Sequence, residues 1–169
     1  MNKLSKIFIG LMAIVVLMGV NACKKDSEGN LLLASFTCNV GSSTFTAPIR
    51  GGIIYSDKTV ITGIGLDGSM IVLTIAGKES GTYEQTGAIV PIGVYKASQS
   101  TSTTDQSNYY SSALQMAKVV LTKNAGNKTL SGTFEFNAVS LSLVTKNITV
   151  GKFENITYVE NPSLAPTGK

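Results

Sequence analysis

The sequence contains no histidine and no tryptophan, and only 14% of its residues are charged. Without histidine, the H-E-x-x-H motif, Cys/His zinc sites, a Ser-His-Asp triad and a Cys-His nucleophile pair are excluded, and no P-loop motif is present. Helix-forming residues are scarce after residue 22, whereas Thr, Ser, Gly and β-branched residues abound, as is typical of all-β extracytoplasmic proteins. We therefore expect an all-β, non-catalytic protein with no cofactor and no bound metal.

Carboxylates alone are enough for one class of enzyme, because a glycosidase needs only two of them on opposite sides of a cleft. Most of the ten Asp and Glu residues fall in predicted turns or at solvent-facing strand positions. Glu135 and Glu154 are the one pair expected in the middle of strands, and we expect both to face solvent. A carboxylate-based hydrolase is therefore the most distant functional alternative.

The net charge gives no sign of a nucleic-acid partner. The formal value of +4 includes Lys3 and Lys6, both of which lie in the N-terminal segment that we expect to be removed. The remaining chain is nearly neutral for its size, so we expect no nucleic-acid binding.

The N-terminal segment has the features of a secretion signal. Lys3 and Lys6 precede an apolar run, Ile7–Val20, which is too short for a membrane-spanning helix. The run ends in Val20-Asn21-Ala22-Cys23, which resembles the lipobox of bacterial lipoproteins. The resemblance implies that residues 1–22 are a cleaved signal peptide. An ordinary secreted protein cut near Ala22 and an uncleaved anchor helix are the alternatives.

The same resemblance implies a lipid anchor at Cys23. Its thiol would carry a diacylglycerol and its amino group a fatty acid such as palmitate, and two or more acyl chains hold a protein to a bilayer durably. Lys24–Asn30 is polar and contains glycine, so we expect residues 23–32 to be the lipidated cysteine and a flexible tether. Lys24, Lys25, Asp26 and Glu28 resemble the leader of Bacteroidetes lipoproteins, which implies a location on the outer membrane of a Gram-negative cell, at its surface. Surface and periplasmic orientations both remain open.

The rest of the chain is predicted to be a single β domain over residues 33–160, followed by a frayed tail over residues 161–169. Runs of β-prone residues alternate with Gly, Asn, Asp and Ser clusters, which predicts an antiparallel β-sandwich, with a closed β-barrel as the alternative. The predicted strands lie near residues 33–39, 43–47, 52–56, 59–66, 69–76, 81–84, 93–97, 116–123, 129–140 and 146–159. Two hairpins are predicted, one at Leu66-Asp67-Gly68-Ser69 with positive φ angles from Asp-Gly, the other at Asn124-Ala125-Gly126-Asn127.

Side-chain alternation predicts which strand faces are buried. In the strand near 129–140, Leu130, Phe134, Phe136 and Ala138 should point inward, with Thr133, Glu135 and Asn137 toward solvent. The run Met70–Ile75 is apolar on both alternations apart from Thr74, which predicts a strand in the middle of a sheet that is covered on both faces, or one that crosses a sandwich. Cys38 is left without a disulfide partner once Cys23 is lipidated, and its alternating surroundings predict a buried thiol.

Several strand-like motifs carry a second resemblance. Phe36-Thr37-Cys38, Thr44-Phe45-Thr46-Ala47, Gly81-Thr82-Tyr83, the run 131–136 and the run 148–153 together are similar to the DUF6252-type Bacteroidetes lipoproteins. That family consists of small β-rich surface domains of unknown function. The resemblance therefore implies a location and a fold and no chemistry.

The polar segment Gln99–Ser112 is the one long interruption of the strand pattern. Long loops in compact domains are often functional, and this one supplies two aromatic rings with hydrogen-bonding neighbours. Its candidate ligand-binding residues are Asp105, Gln106, Asn108, Tyr109 and Tyr110, with a solvated crossover as the alternative. We predict a tethered binding module for a glycan or a partner protein, and an accessory subunit of an envelope assembly is the second possibility.

Overall fold

The computed structural model describes residues 33–84, 92–97, 108–111 and 116–161. The predicted signal peptide, Cys23, the whole predicted tether and the tail from residue 162 lie outside these residues. The described residues form eleven β-strands and no helix, so the all-β prediction is confirmed. The strands are β1 (Ser35–Val40), β2 (Ser43–Thr46), β3 (Ile49–Ile54), β4 (Thr59–Ile64), β5 (Met70–Ile75), β6 (Gly81–Glu84), β7 (Gly93–Lys96), β8 (Asn108–Ser111), β9 (Ala117–Asn124), β10 (Thr129–Val139) and β11 (Thr145–Glu160).

The strands are hydrogen-bonded in the order β2-β1-β11-β3-β4-β5-β7-β8-β10-β9-β6, and β10 also pairs with β11. Because β10 and β11 are long, each pairs with two strands on its outer side: β11 with β1 and β3, and β10 with β9 and β8. The pairings thus run from β11 through β3, β4, β5, β7, β8 and β10 back to β11. Both predicted descriptions, sandwich and barrel, fit this circuit. The prediction missed the parallel pairing of β11 with β3.

Two layers can be distinguished within the circuit. We call β2-β1-β11-β10-β9-β6 the first layer and β3-β4-β5-β7-β8 the second layer. Their inner faces touch: the inward side of Gly63 on β4 lies against Phe36 on β1, and that of Gly93 on β7 lies against Phe136 on β10. A methyl group at either glycine would come within 3 Å of these rings. The outer faces of the two layers therefore point in opposite directions.

The core between the layers follows the predicted alternation. Leu130, Phe134, Phe136 and Ala138 of β10 are all buried, as predicted. Phe134 packs against Phe36 of β1 with ring centroids 5.2 Å apart. Burying a large apolar side chain contributes about 1.5–3 kcal/mol, so this aromatic cluster is a principal source of the stability of the domain.

The β4–β5 hairpin is confirmed, with a turn that differs from the predicted one. Gly65 N–H donates to Ser69 O over 2.8 Å and Gly68 N–H donates to Gly65 O over 3.1 Å. In the loop between these ends Gly68 has a φ of 80°, whereas Asp67 does not have a positive φ. This is a three-residue loop with a left-handed glycine. Asp67 instead accepts hydrogen bonds from the Ser69 hydroxyl and backbone N–H, which lower the pKa of its carboxyl group.

The β9–β10 hairpin is confirmed as well, and its left-handed residue is Lys128, with a φ of 50°. Asn124 Oδ1 accepts a hydrogen bond from Asn127 N–H over 3.1 Å. An asparagine side chain that bonds the backbone in this way stabilises the turn.

The sequence analysis missed one strand, and for another it predicted the position but not how far each face is covered. Asn108–Ser111 forms β8, whereas the sequence predicted that residues 99–112 are one loop. In β5, the central position is confirmed, since β4 and β7 pair on its two sides. Ile71, Leu73 and Ile75 are fully buried, while its other alternation is half-buried, so the two faces are not equally covered.

Cys38 is buried as predicted, with an exposed fraction of 3%. Burial raises the pKa of its thiol to about 12. A thiol with this pKa is protonated at neutral pH and unreactive. Among the described residues there is no helix of the length and hydropathy needed to cross a bilayer.

Candidate functional site

The outer face of the first layer is polar. Thr37 of β1 lies opposite Lys152 of β11, Lys152 lies opposite Thr133 of β10, and Thr133 lies opposite Val120 of β9. Cross-strand partners share a face of the sheet. A mixed row of hydroxyl, ammonium and aliphatic groups therefore crosses four neighbouring strands.

A groove of about 420 Å³ lies along this row. Its volume falls within the range of about 300–1,000 Å³ that is usual for small-molecule sites. Phe134 and Gly151 belong to its floor, because the ring of Phe134 lies directly beneath Gly151, which has no side chain to cover it. The residues lining the groove are Thr37, Lys118, Val120, Thr133, Phe134, Glu135, Val150, Gly151 and Lys152.

Both lysines of the groove have a carboxylate partner. Lys118 Nζ lies 3.2 Å from Glu84 Oε1, and Lys152 Nζ lies 2.8 Å from Glu154 Oε1. The hydrogen bond from Lys152 is the main cause of a lowered pKa at Glu154, to which the Ser35 hydroxyl also donates. Exposed ion pairs of this kind contribute at most about 1 kcal/mol, so either ammonium group can turn toward a ligand at little cost.

Glu135 is the uncommitted carboxylate of the groove. It lies opposite Lys118 on β9, but within the described part of the chain it takes part in no ion pair. Thr37 and Thr133 add two hydroxyl groups that both donate and accept hydrogen bonds. The groove thus offers ammonium donors, a carboxylate acceptor and two adaptable hydroxyls.

A backbone irregularity forms one wall of the groove. The pairs Phe134–Gly151 and Phe136–Ile148 leave Thr149 and Val150 of β11 together opposite Glu135, which is a β-bulge. Val150 has a φ of 52° and is 77% exposed. The left-handed conformation costs an L-residue about 1–2 kcal/mol, and strain of this kind is concentrated at functional sites. The bulge directs an apolar side chain to the edge of an otherwise polar groove.

The two carboxylates considered for hydrolysis are on the same face but far apart along it. Glu135 lies opposite the bulge, whereas Glu154 lies opposite Ser131, four residues away along β10. At about 3.3 Å per residue their Cα atoms are roughly 13 Å apart. Glycosidases hold their two carboxyl groups on opposite sides of a cleft, whereas these two residues share one sheet face and Glu154 is paired with Lys152, so this arrangement gives the hydrolase alternative no support.

The predicted loop site is divided by the fold. Asp105 and Gln106 lie outside the described residues, and Asn108, Tyr109 and Tyr110 belong to β8. Successive residues of a strand point to opposite faces. Tyr109 packs against the core beside Tyr95, with ring centroids 5.7 Å apart, while Tyr110 points outward and is 43% exposed. The two tyrosines therefore point to opposite faces of β8, and ligand binding by this segment stays a prediction.

The groove was missed by the sequence because it depends on strand register. The solvent-facing positions of Thr133 and Glu135 were predicted, but nothing in the sequence indicates that Lys152 lies beside Thr133 or Lys118 beside Glu135. A search of the described residues for three or more His, Cys, Asp or Glu side chains that could hold a metal ion finds no such group.

Comparison with known proteins identifies the family of the chain. A family model for a domain of unknown function, DUF6252, matches residues 33–157. Neither the curated proteins nor the solved structures contain a match. The matched range begins just before β1 and ends within β11, so it covers almost the whole β domain. The chain belongs to the DUF6252 family.

Proposed function

We propose that this protein is a lipid-anchored, non-catalytic binding module that holds a glycan in the groove on the outer face of the first layer. The groove itself carries the proposal, because it combines a suitable volume with paired donors and acceptors. Sugars present hydroxyl groups around an apolar ring face. The groups of Lys152, Thr133 and Glu135 match the hydroxyls, and Val120 and Val150 match the C–H surface.

The anchor at Cys23 belongs to the same proposal. A groove without an exposed aromatic ring among its described members offers only a few hydrogen bonds and aliphatic contacts, so a single domain should bind weakly. Several copies anchored in one membrane bind a polymer together, and such avidity exceeds the single-site affinity by about 10²–10⁴. A durable lipid anchor and a weak site therefore suit each other.

A partner protein is the second candidate ligand, and the β10–β11 loop is the observation that favours it. Leu141, Leu143 and Val144 are 78%, 83% and 51% exposed, although the loop is held by hydrogen bonds from Leu143 N–H to Ser140 O and from Ser140 N–H to Val144 O. Leu143 has a φ of 63°, where glycine would be less strained. Exposed aliphatic groups on a fixed loop are typical of protein contacts.

An assembly role through strand addition has less support. The first layer ends in β2 and β6, and each of these strands is only four residues long. Short edge strands are a common protection against pairing with other chains.

The proposal can be tested on a glycan array with the fragment 24–169. We expect the double variant Lys152→Ala with Thr133→Ala to lose retention on every glycan that the unchanged fragment holds. The matched control is Lys96→Ala with Thr62→Ala, which removes the same two side-chain types from the outer face of the second layer and should bind normally. Equal retention by both double variants would contradict the groove, and retention of no glycan by the unchanged fragment would contradict the ligand class.

A further inference from the structure

The outer face of the second layer is apolar over several strands. Its middle row follows the register Gly51–Thr62–Val72–Val94–Tyr110 across β3, β4, β5, β7 and β8, and continues to Val139 of β10. Among the described members of this row, only Thr62 and Tyr110 carry a polar side-chain group, in each case one hydroxyl. As in the first layer, alternate residues of each strand face outward. Here, however, most of these outward residues are apolar.

The rows on either side have the same character. One contains Ile49, Ile64 and Met70 before it ends in Lys96 and Asn108. The other contains Val159, Ile53, Val60 and Thr74. In these described rows Lys96 is the single charged side chain. With strands about 4.8 Å apart and same-face residues about 6.7 Å apart, the three rows cover on the order of 300 Å².

A face of this size is at the threshold at which apolar patches indicate an interaction surface. A second copy of the chain is a poor occupant, because two such faces together bury roughly 600 Å², while a stable interface buries about 1,200–2,000 Å². An occupant that is already held close by another connection does not need so large an area.

The bilayer is an occupant of this kind, because the predicted lipid anchor at Cys23 keeps it near the domain. Cys23 and Leu33 are joined by about ten residues, which span at most about 35 Å when extended. That length exceeds the span of β1, which is about 20 Å for its six residues. The tether ends just before β1, so the membrane to which Cys23 is anchored stays within about 35 Å of that end of the domain, at a high effective concentration.

The rim of the face also fits the membrane interface. Tyr110 and Lys96 are amphipathic side chains on neighbouring rows, with an apolar body and a polar tip. Tyrosine is enriched at the headgroup level of bilayers, and lysine extends its ammonium group from an apolar surface into water there.

We propose that the outer face of the second layer lies on the bilayer in which Cys23 is anchored. The polar groove then faces away from the membrane, because the two outer faces point in opposite directions. The inference rests on the anchor of the proposed function, and it does not depend on the ligand in the groove.

The test uses the lipidated chain reconstituted in vesicles whose acyl chains carry bromine, a short-range fluorescence quencher. A fluorophore is attached to Val72→Cys in one sample and to Thr133→Cys in another. Cys38 is buried and Cys23 is consumed by the anchor, so the new thiol is the labelled one. We expect a several-fold greater loss of fluorescence at position 72 than at position 133.

Two valine-to-lysine variants sharpen the comparison. Val94→Lys places a charge beside position 72 and should abolish the quenching there, whereas Val120→Lys makes the same change on the polar face and should leave the quenching at position 72 intact.

Equal quenching at positions 72 and 133, or stronger quenching at 133, would overturn the proposal. So would a label at 72 that is shielded from both bromine and aqueous iodide, since a protein would then cover the face. A chain that does not float with the vesicles lacks the anchor, which also overturns it, while the glycan array with fragment 24–169 still tests the groove separately.

Discussion

The two layers of this domain share the same alternation of buried inward residues, but one outer face is polar and the other is apolar. On the first layer the outward row contains Thr37, Lys152 and Thr133, and on the second it contains Val72, Val94 and Tyr110. Both layers contribute fully buried residues to one core. Burial fixes the inward alternation of each strand, whereas the outward alternation is free to vary. The outward positions are therefore where the two layers differ, and where we expect binding to be determined.

The largest expected effect tests whether both faces enclose one tightly packed core. Phe134→Ala and Phe136→Ala should each lower the free energy of unfolding by about 3–5 kcal/mol, because each removes a buried ring. Glu135→Ala, between them on the polar face, should change it by less than about 0.5 kcal/mol. Chemical denaturation of the three variants measures these values. Equal and small losses would contradict the alternation of β10.

A second pair of variants tests which tyrosine of β8 faces the core and which faces outward. Tyr109→Ala should lower the free energy of unfolding by roughly 2 kcal/mol, since its ring packs beside Tyr95 against the core. Tyr110→Ala removes an outward ring and should lower it by less than about 1 kcal/mol. Thermal unfolding monitored by circular dichroism compares the two. The reverse order would place Tyr110 inside and remove it from the apolar face.

The buried thiol of Cys38 makes the free energy of unfolding depend on pH, and this contribution comes from the core alone. Folding raises its pKa from 9.0 to about 12, so its contribution to stability is complete below pH 9 and is lost as the pH rises toward 12. At about pH 10 the loss should be on the order of 1 kcal/mol. Cys38→Ala should show a smaller alkaline loss than the unchanged chain, and the difference between the two removes the contributions of Lys and Tyr. Identical alkaline curves would show that the thiol is not buried.

The smallest expected effect concerns the bulge at the edge of the groove. Val150→Gly relieves a left-handed valine and should raise the free energy of unfolding by about 0.5–1 kcal/mol. Asn155 has the same φ of 52°, but asparagine tolerates this conformation, so Asn155→Gly is the control and should gain less. A loss of stability in Val150→Gly would mean that the valine side chain itself supports the wall of the groove.

Much of this fold could be predicted because the strands carry strong local signals. Phe134 and Phe136 alternate with polar residues, and Asp67-Gly68 sits between two apolar runs. β8 was missed because Asn108–Ser111 is short and lies in a polar stretch, where pairing with β7 and β10 outweighs local composition. The left-handed residue of the β9–β10 turn, Lys128, was not predicted, because a lysine gives no local signal for a positive φ.

The candidate site was beyond prediction for a different reason. Lys152 and Thr133 are separated in sequence and meet only through the register of β10 and β11, which depends on two bulges. The apolar face was partly visible, because Met70–Ile75 is apolar on both alternations. That pattern indicated a second covered face, although the neighbours from β4, β7 and β8 that complete the face followed only from the sheet order.

The most direct test of the difference between the faces is carbene footprinting of the lipidated chain in vesicles, compared with the fragment 24–169 in solution. The reagent labels any exposed side chain, so mass spectrometry reports the coverage of both faces in one experiment. Our account predicts that peptides with Val72 and Val94 lose labelling in the vesicles, while peptides with Thr133 and Lys152 are labelled equally in both samples. Loss of labelling on the Thr133 and Lys152 peptides, or unchanged labelling on all four positions, would contradict it.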